Sequence, residues 1–445
     1  MFKRLHGAKL VLNVQPVFII ESEKRDFMKH IGLTFLCLVL TNVLFSQNIQ
    51  NKVFNNKIRT PLAFPEQNPV GYPMIELNSA SGLEFHFDLF NDMREDYRYS
   101  VFHCDHDWNV STLNTSEYLT GFPWTEITDV EYSFNTQIEF IHYQWIFPNE
   151  LCRPTRSGNY GVVVYKGDDP WKGLVLSYRV VIYENMIGIN SAVVNSSIVG
   201  ERFKKQEIDF SFNTAGYYMP SVQNDLHVVI LQNGNWNNAI FNLKPTFIKP
   251  GELIYDHNGV NNFDGLNEWR AFEVKSTKFA GIQVNNIILE PDGWHVYLRQ
   301  DLLKGTRAYQ TDFDLNGRTF IKNDLADDTH LESEYVYVHF SLSTPKISEN
   351  KVFLVTSETD FTGLIDECAY NPETKAYDVK KLLKQGYYNY RFATINLFNV
   401  KGDYSFTEGS FMETENDYHI IAYYFDRSLG SDRIIGVSSV NSAGR

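Results

Sequence analysis

Residues 83–89 read LEFHFDL. Leu83, Phe85, Phe87 and Leu89 alternate with Glu84, His86 and Asp88, the period of two expected of a β-strand with one buried face. Working outward, 97–103, 138–147 and 160–165 read as further strands, with an SGN turn at 157–159. The stretch 173–183 puts Leu174, Leu176, Tyr178, Val180 and Ile182 on one face. Strand signals at this spacing predict a β-sandwich.

The pattern continues nearly to the end of the chain. Ile208, Phe210 and Phe212 alternate, and 226–232 reads as a buried strand closed by Asn233-Gly234. Strands follow at 269–274, 282–289 and 294–298, and Leu315-Asn316-Gly317 marks a hairpin turn. From Tyr335 a third set runs through 352–355, 387–392, 418–425 and 433–437. Only 379–383 suits a single helical turn. Tyr (26) and Phe (33) far outnumber Met (7), which agrees with strands. The expected fold is all-β, with three immunoglobulin-like or early-set sandwiches in series at 61–187, 188–332 and 333–445.

The N-terminus carries a processing signal. Lys29 and His30 precede a mostly apolar run at 31–45, and Ser46 is a small residue at its end, so 28–46 reads as a secretory signal peptide. Residues 1–27 then read as an upstream extension that is not translated, and 47–60, polar and rich in Asn, as a linker. The first 46 residues hold six basic and three acidic residues, so their removal takes the formal net charge from −14 to −17. Such a surface repels nucleic acid and anionic lipid. Export leaves Cys104, Cys152 and Cys368. The first two can be drawn as a cross-strand pair, but an odd count is a poor disulfide framework and buried thiols are the favoured reading.

Candidate chemistry is sparse. His103, Cys104, Asp105, His106 and Asp107 invite a metal, with His86 or His142 as further donors, yet no second cluster of ligand spacing completes the set. Asp105 or Asp107 bonding turn amides is the simpler reading. Asp312, Asp314, Asn316 and Gly317 match the first half of a calcium loop, but Asn323 stands where the bidentate acid belongs. No nucleophile elbow, zinc-protease helix or phosphate loop occurs. Asp256 with Glu268, or Asp105 with Glu117, would serve a glycoside hydrolase, but chance pairs are common among 54 acids. No catalytic, cofactor or metal residue is assigned. The aromatic surplus between strands is the better clue. Trp108, Tyr118, Phe122, Trp124 and Tyr132 fall outside strand periodicity, either as a loop's private core or as a recognition surface. Trp108, Tyr118, Phe122 and Trp124 are the candidate partner-interface residues.

Several blocks together carry a family resemblance. HCDHDW (103–108), S-x-L (111–113), EYLTGF (117–122), SFNT (133–136), HY (142–143), PN (148–149) and SGNY (157–160) resemble the first domain of the type IX secretion system plug protein family. DLHVVILQNGNWNNAI (225–240), NEWRAFEVKS (267–276) and D-x-NG (314–317) resemble its middle. KQGYYNYRF (384–392), ETENDYHIIAYY (413–424) and DRIIGVSSVNS (432–442) resemble its end. The resemblance implies a non-enzymatic periplasmic protein without cofactors, at the periplasmic face of the outer membrane. It implies a gating subunit that plugs the outer-membrane translocon barrel, as a monomer within a hetero-complex, with no direct membrane insertion. The last domain also resembles early-set glycogen-binding sandwiches, with Phe361 of TSETDF (356–361) where those place a sugar-stacking Trp. The alternative function is therefore a periplasmic glycan-binding protein.

Overall fold

Strand Leu83–Leu89 lies between Ile58–Pro65 and Ile141–Phe147 in one antiparallel sheet. The computed structural model describes residues 47–444 except 257, 258, 364, 397 and 398, and not the side chains of 399–401. The expected extension at 1–27 and signal peptide at 28–46 lie outside the described residues. Phe85 pairs with Trp145 and Phe87 with Tyr143 across the register, their rings stacked at 5.0 Å and 4.7 Å. Such ring pairs add about 0.5–1.5 kcal/mol each beyond the area they bury. The facing sheet, built on Arg98–Cys104, Gly158–Tyr165 and Leu174–Tyr183, sends Tyr99, Tyr160, Val162, Leu176 and Tyr178 into the same core. The alternation of 83–89 is thus cashed in as one wall of a two-sheet body.

The linker expected at 47–60 is part of this body. Lys52–Val53 pairs with Leu174–Tyr183, and Ile58 opens a strand. Ile49 is buried against Gly161, where a Cβ would come within 2.7 Å of the Ile49 side chain. Gln50 and Asn51 bond Ser177 Oγ and Arg179 N. The polar composition of the segment conceals two isoleucines that anchor it.

The chain is all-β, and its α-helices among the described residues are single four-residue turns. It does not lay its sheets down in series. Gly188–Asn195 and Lys205–Asn213 begin a sheet that faces another of order Asn235–Phe241, Leu226–Gln232, Asp417–Asp426, Ser431–Asn441. The middle core therefore takes Ile208, Phe210, Val228 and Ile230 together with Tyr418, Ile420 and Ile435 from the far end of the chain. Between these halves an eleven-stranded sheet closes over its own core. Arg270–Val274, expected in the middle domain, pairs there with Gly386–Asn396. The expected boundary at 332 falls inside this inserted body, and the expected helical turn at 379–383 is strand Ala376–Lys384, whose buried Leu383 pairs with Val336.

A fourth apolar cluster joins the N-terminal and middle bodies. Val163, Tyr165 and Val181 from one side meet Val229, Leu231, Ile421 and Tyr423 from the other, with Trp108 at the edge. Strands Gly158–Tyr165, Leu226–Gln232 and Asp417–Asp426 are consequently covered on both faces. The N-terminal and inserted bodies meet around buried polar groups, with Phe90 and Phe140 edge-on to Tyr335 beside them. Asp88 accepts from Lys384 Nζ at 2.7 Å and from the Tyr335 hydroxyl at 2.6 Å, all three buried. Burial raises the Asp88 carboxyl, but Lys384 and His142 outweigh it and hold the group at about 2.

His106 ties the first seam. Asp432 accepts from its backbone N–H and its Nδ1, both at 2.8 Å, and the ring stacks on His227 at 3.7 Å. Burial lowers the imidazole, yet the Asp432 bond and charge leave it raised above 6.5. Burial raises Asp432, yet His106 leaves it lowered below 3.8. The raised imidazole contributes stability that is complete below pH 6.5 and is lost as pH climbs through its folded-state value. The lowered carboxyl contributes stability that is lost in acid, below 3.8. Thermal melts between about pH 6 and 9 should therefore decline more steeply for the wild type than for His106→Asn; parallel slopes would contradict this account of the seam.

Candidate functional site

The aromatic segment divides into rings that point in and rings that point out. Strand Arg98–Cys104 ends in a turn that Asp105 organises, its Oδ1 accepting from Asp107 N at 2.9 Å and Asn109 N at 2.8 Å. That turn holds Trp108 at φ 68, a left-handed conformation costly for a bulky residue. Packing repays the strain. Trp108 is 1% exposed, its ring set edge-on to Trp236 at 4.8 Å, with the Arg179 guanidinium 4.7 Å above it. Tyr118 ends the single turn Thr115–Tyr118, closed by Asn114 N donating to Glu117 Oε2 at 2.7 Å. It is 4% exposed, and its hydroxyl donates to the Val101 carbonyl. Both residues, expected at a partner interface, are core residues with no ring to offer.

Phe122 and Trp124 stand outside, 60% and 43% exposed. Short edge strand Trp124–Glu126 pairs with Arg98–Cys104, which aims Trp124 outward under the Arg98 guanidinium at 4.3 Å. Phe122 N donates to the Leu151 carbonyl. Phe122, Trp124, Ile146 and Leu151 line a cleft of about 760 Å³ with Glu84, Glu126 and Asp129 also at its wall. Tyr132 is exposed as well, on strand Asp129–Tyr132. Exposed aromatics thus border a cleft whose wall also carries carboxylates.

The other sequence candidates are engaged locally. His103 is fully buried, and burial lowers its imidazole to about 4. Asp105 serves its turn and His106 the seam, so the HCDHD run does not converge on one point. Asp314 accepts from Trp269 N and Asn316 N. Asp312 pairs with Lys304. Asn316 and Gly317, at φ 51 and 86, make the expected tight turn, with Gly317 against the Trp269 ring. Only the strand after it, Thr319–Ile321, is formed. Glu268 is buried, accepting from Tyr309 and from Glu415 N. Cys104, Cys152 and Cys368 are free buried thiols.

A second cavity, about 440 Å³, opens where the three bodies meet, lined by Arg179, Trp236, Trp269, Arg318, Phe361 and Arg391 among others. Sequence reading did not find it, because its walls come from distant segments. Arg318 lies over Tyr72 and Arg391 over Trp269, at 4.9 Å and 3.8 Å. Burial lowers Arg179 to about 10, which leaves it charged at neutral pH. Phe361 packs edge-on against Tyr178 at 5.5 Å, so the loop that would carry a sugar platform is turned into the molecule.

Residues 58–184, which hold the aromatic segment and its cleft, match the type 9 secretion system plug protein 1st domain. The chain belongs to the type 9 secretion system plug family. Along the chain it is also similar to a hypothetical protein from Parabacteroides merdae, known from a crystal structure: identity is 30%, the TM-score 0.83, and the match spans 89% of this chain and all of that one. No curated protein matches. Plug-family membership implies association with the secretion system, a periplasmic location near the outer membrane, and a non-catalytic role. Among the described residues no helix is long and apolar enough to cross a membrane. The plug domain's inward and outward rings should separate in thermal melts. Trp108→Ala and Tyr118→Ala should each cost about 3–5 kcal/mol, while Phe122→Ala and Trp124→Ala stay within about 0.5–1 kcal/mol of wild type.

Proposed function

We propose that the protein is a non-enzymatic periplasmic gating subunit that plugs the periplasmic opening of the type 9 translocon barrel. The observation that carries this reading is the plug-domain match over residues 58–184, supported by a docking-type cleft on that same domain. Each of the three cores is taken as one immunoglobulin-like sandwich module. A compact body of the plug domain's length has a diameter of about 35 Å, enough to obstruct a wide pore. Sealing must be reversible, which suits a wet interface of roughly 1,200–2,000 Å². The cleft, with apolar rings in the middle and carboxylates beside them, fits that description. The strongly acidic chain suits a soluble partner that docks as a monomer and leaves without inserting into the bilayer.

A second reading, a periplasmic glycan-binding protein, draws on one observation: the central cavity combines arginines with indole rings. Calorimetry of the full chain against a glycan panel separates the two readings. Specific binding lost in Arg318→Ala would favour the second.

Deleting the protein should raise the conductance of the translocon barrel, and unchanged conductance would remove the gating reading. Co-purification of the barrel should fall ~10-fold or more in the double variant Phe122→Ala, Trp124→Ala, since a few exposed aromatics carry most of a docking energy. Full retention would place the contact elsewhere on the surface.

A further inference from the structure

The outer face of the plug domain carries an unusual imidazole group. His86 and His142 project from neighbouring strands Leu83–Leu89 and Ile141–Phe147. His330 reaches them from the single turn Thr329–Glu332 of the inserted body. Each ring offers a nitrogen, and the three nitrogens lie within 4.8 Å of one another. Ring centroids are 5.3, 4.6 and 5.1 Å apart for the pairs His86–His142, His86–His330 and His142–His330.

The hydrogen-bond accounting at the two buried rings does not close with neutral imidazoles. His142 Nδ1 lies 2.6 Å from Asp88 Oδ1, so it carries the proton and donates. That leaves His142 Nε2 as a bare lone pair, 3.2 Å from His86 Nδ1. The other nitrogen of His86, Nε2, faces Glu84 Oε2 at 3.3 Å. A neutral His86 has one N–H for these two neighbours. If it donates to His142, a lone pair meets the Glu84 carboxylate. If it donates to Glu84, two ring lone pairs face each other. An imidazolium would close the chain only by placing a charge on a ring that is 3% exposed, which is costly.

A divalent cation closes it in the other way. With His86 Nδ1 and His142 Nε2 turned to the ion, each ring gives its remaining N–H to a carboxylate, Glu84 or Asp88. Metal-ligating histidines are held in that manner, their tautomer fixed by an outer carboxylate. The 3.2 Å gap also fits. Two nitrogens on one tetrahedral zinc, each bond about 2.0–2.1 Å, sit about 3.3 Å apart. A side-chain turn of His330, which is only half-buried, brings in the third nitrogen.

The geometry points to a zinc-class metal site formed by His86, His142 and His330, with Glu84 and Asp88 as outer partners, that clips the plug domain to the inserted body. It does not depend on the docking reading. Three imidazoles select a borderline ion such as Zn²⁺ over hard, oxygen-seeking cations. Because the ligands come from two bodies, the ion stabilises their contact and should act through stability.

The test uses the full mature chain, stripped by chelator and then titrated with zinc alone. One equivalent should bind and raise the melting temperature by a few degrees. Cobalt(II) substitution should give the visible absorption of a tetrahedral nitrogen site. His330→Ala removes a half-buried ligand without emptying a core; it should weaken zinc by ~100-fold or more and abolish the zinc-dependent rise in melting temperature. Glu84→Gln should weaken zinc by about 10–100-fold with the chelated protein melting as wild type. Absence of stoichiometric zinc, or zinc held equally well by His330→Ala and His86→Ala, would overturn the assignment.

Discussion

A strand with apolar residues on both faces must be covered on both sides, and that requirement shapes this chain. Gly158–Tyr165, Leu226–Gln232 and Asp417–Asp426 each send alternate residues into two different cores. Leaving either face open would expose a row of Val, Ile and Tyr, at about 25 cal/mol for every Å² not removed from water. The N-terminal and middle bodies therefore cannot be independent beads. Their sheets stack through a dry seam, and the central strand of the middle sheet waits for a partner almost two hundred residues later in the chain. The inserted body is closed within that interval. Both chain connections that enter and leave it run past Glu268 and Glu415, which are bonded to one another through a carboxylate and an amide.

The two seams are built differently, with different consequences. The apolar seam supplies burial energy. The contact between plug domain and inserted body centres on Asp88, shared by Lys384, Tyr335 and His142. A buried ion pair rarely stabilises more than a well-packed apolar patch would, because desolvation offsets most of the attraction. It does penalise every misalignment, since a displaced Lys384 would leave Asp88 buried and charged with no cation beside it. The polar contact thus fixes how the inserted body sits on the plug domain.

Local order was legible in the sequence because it obeys periods. LEFHFDL became a strand with its apolar face inward, and nearly every alternating run followed suit. Residues 379–383 misled because Val379, Leu382 and Leu383 suit either period over so short a stretch, and only the neighbour 335–343 decides it. The boundary at 332 was wrong for a deeper reason. Which strand pairs with which across the chain is a property of tertiary packing, and one sequence holds no record of it. The split among the four aromatics was hidden likewise. Periodicity does not run through loops, although two local signals were present: Asp105 two to four residues before the amides it organises, and the N-x-x-E box of Asn114 and Glu117 that turns Tyr118 inward. His330 had no signal at all, since it lies far in sequence from His86 and His142 and joins them only when the inserted body docks.

Glu84 sits where two sites touch. One of its oxygens meets His86, and the residue also lines the cleft beside Phe122 and Trp124. Strand Leu83–Leu89 thus has three tasks within seven residues. Its odd positions build the core, Asp88 fixes the inserted body, and Glu84 lines the cleft while holding a ring of the imidazole group. A partner seated in the cleft would compete with His86 for the same carboxylate. The cleft and the imidazole group thus share one carboxylate. Any event at the cleft that draws Glu84 away reaches the joint between plug domain and inserted body through one hydrogen bond, with no rearrangement of the core beneath it.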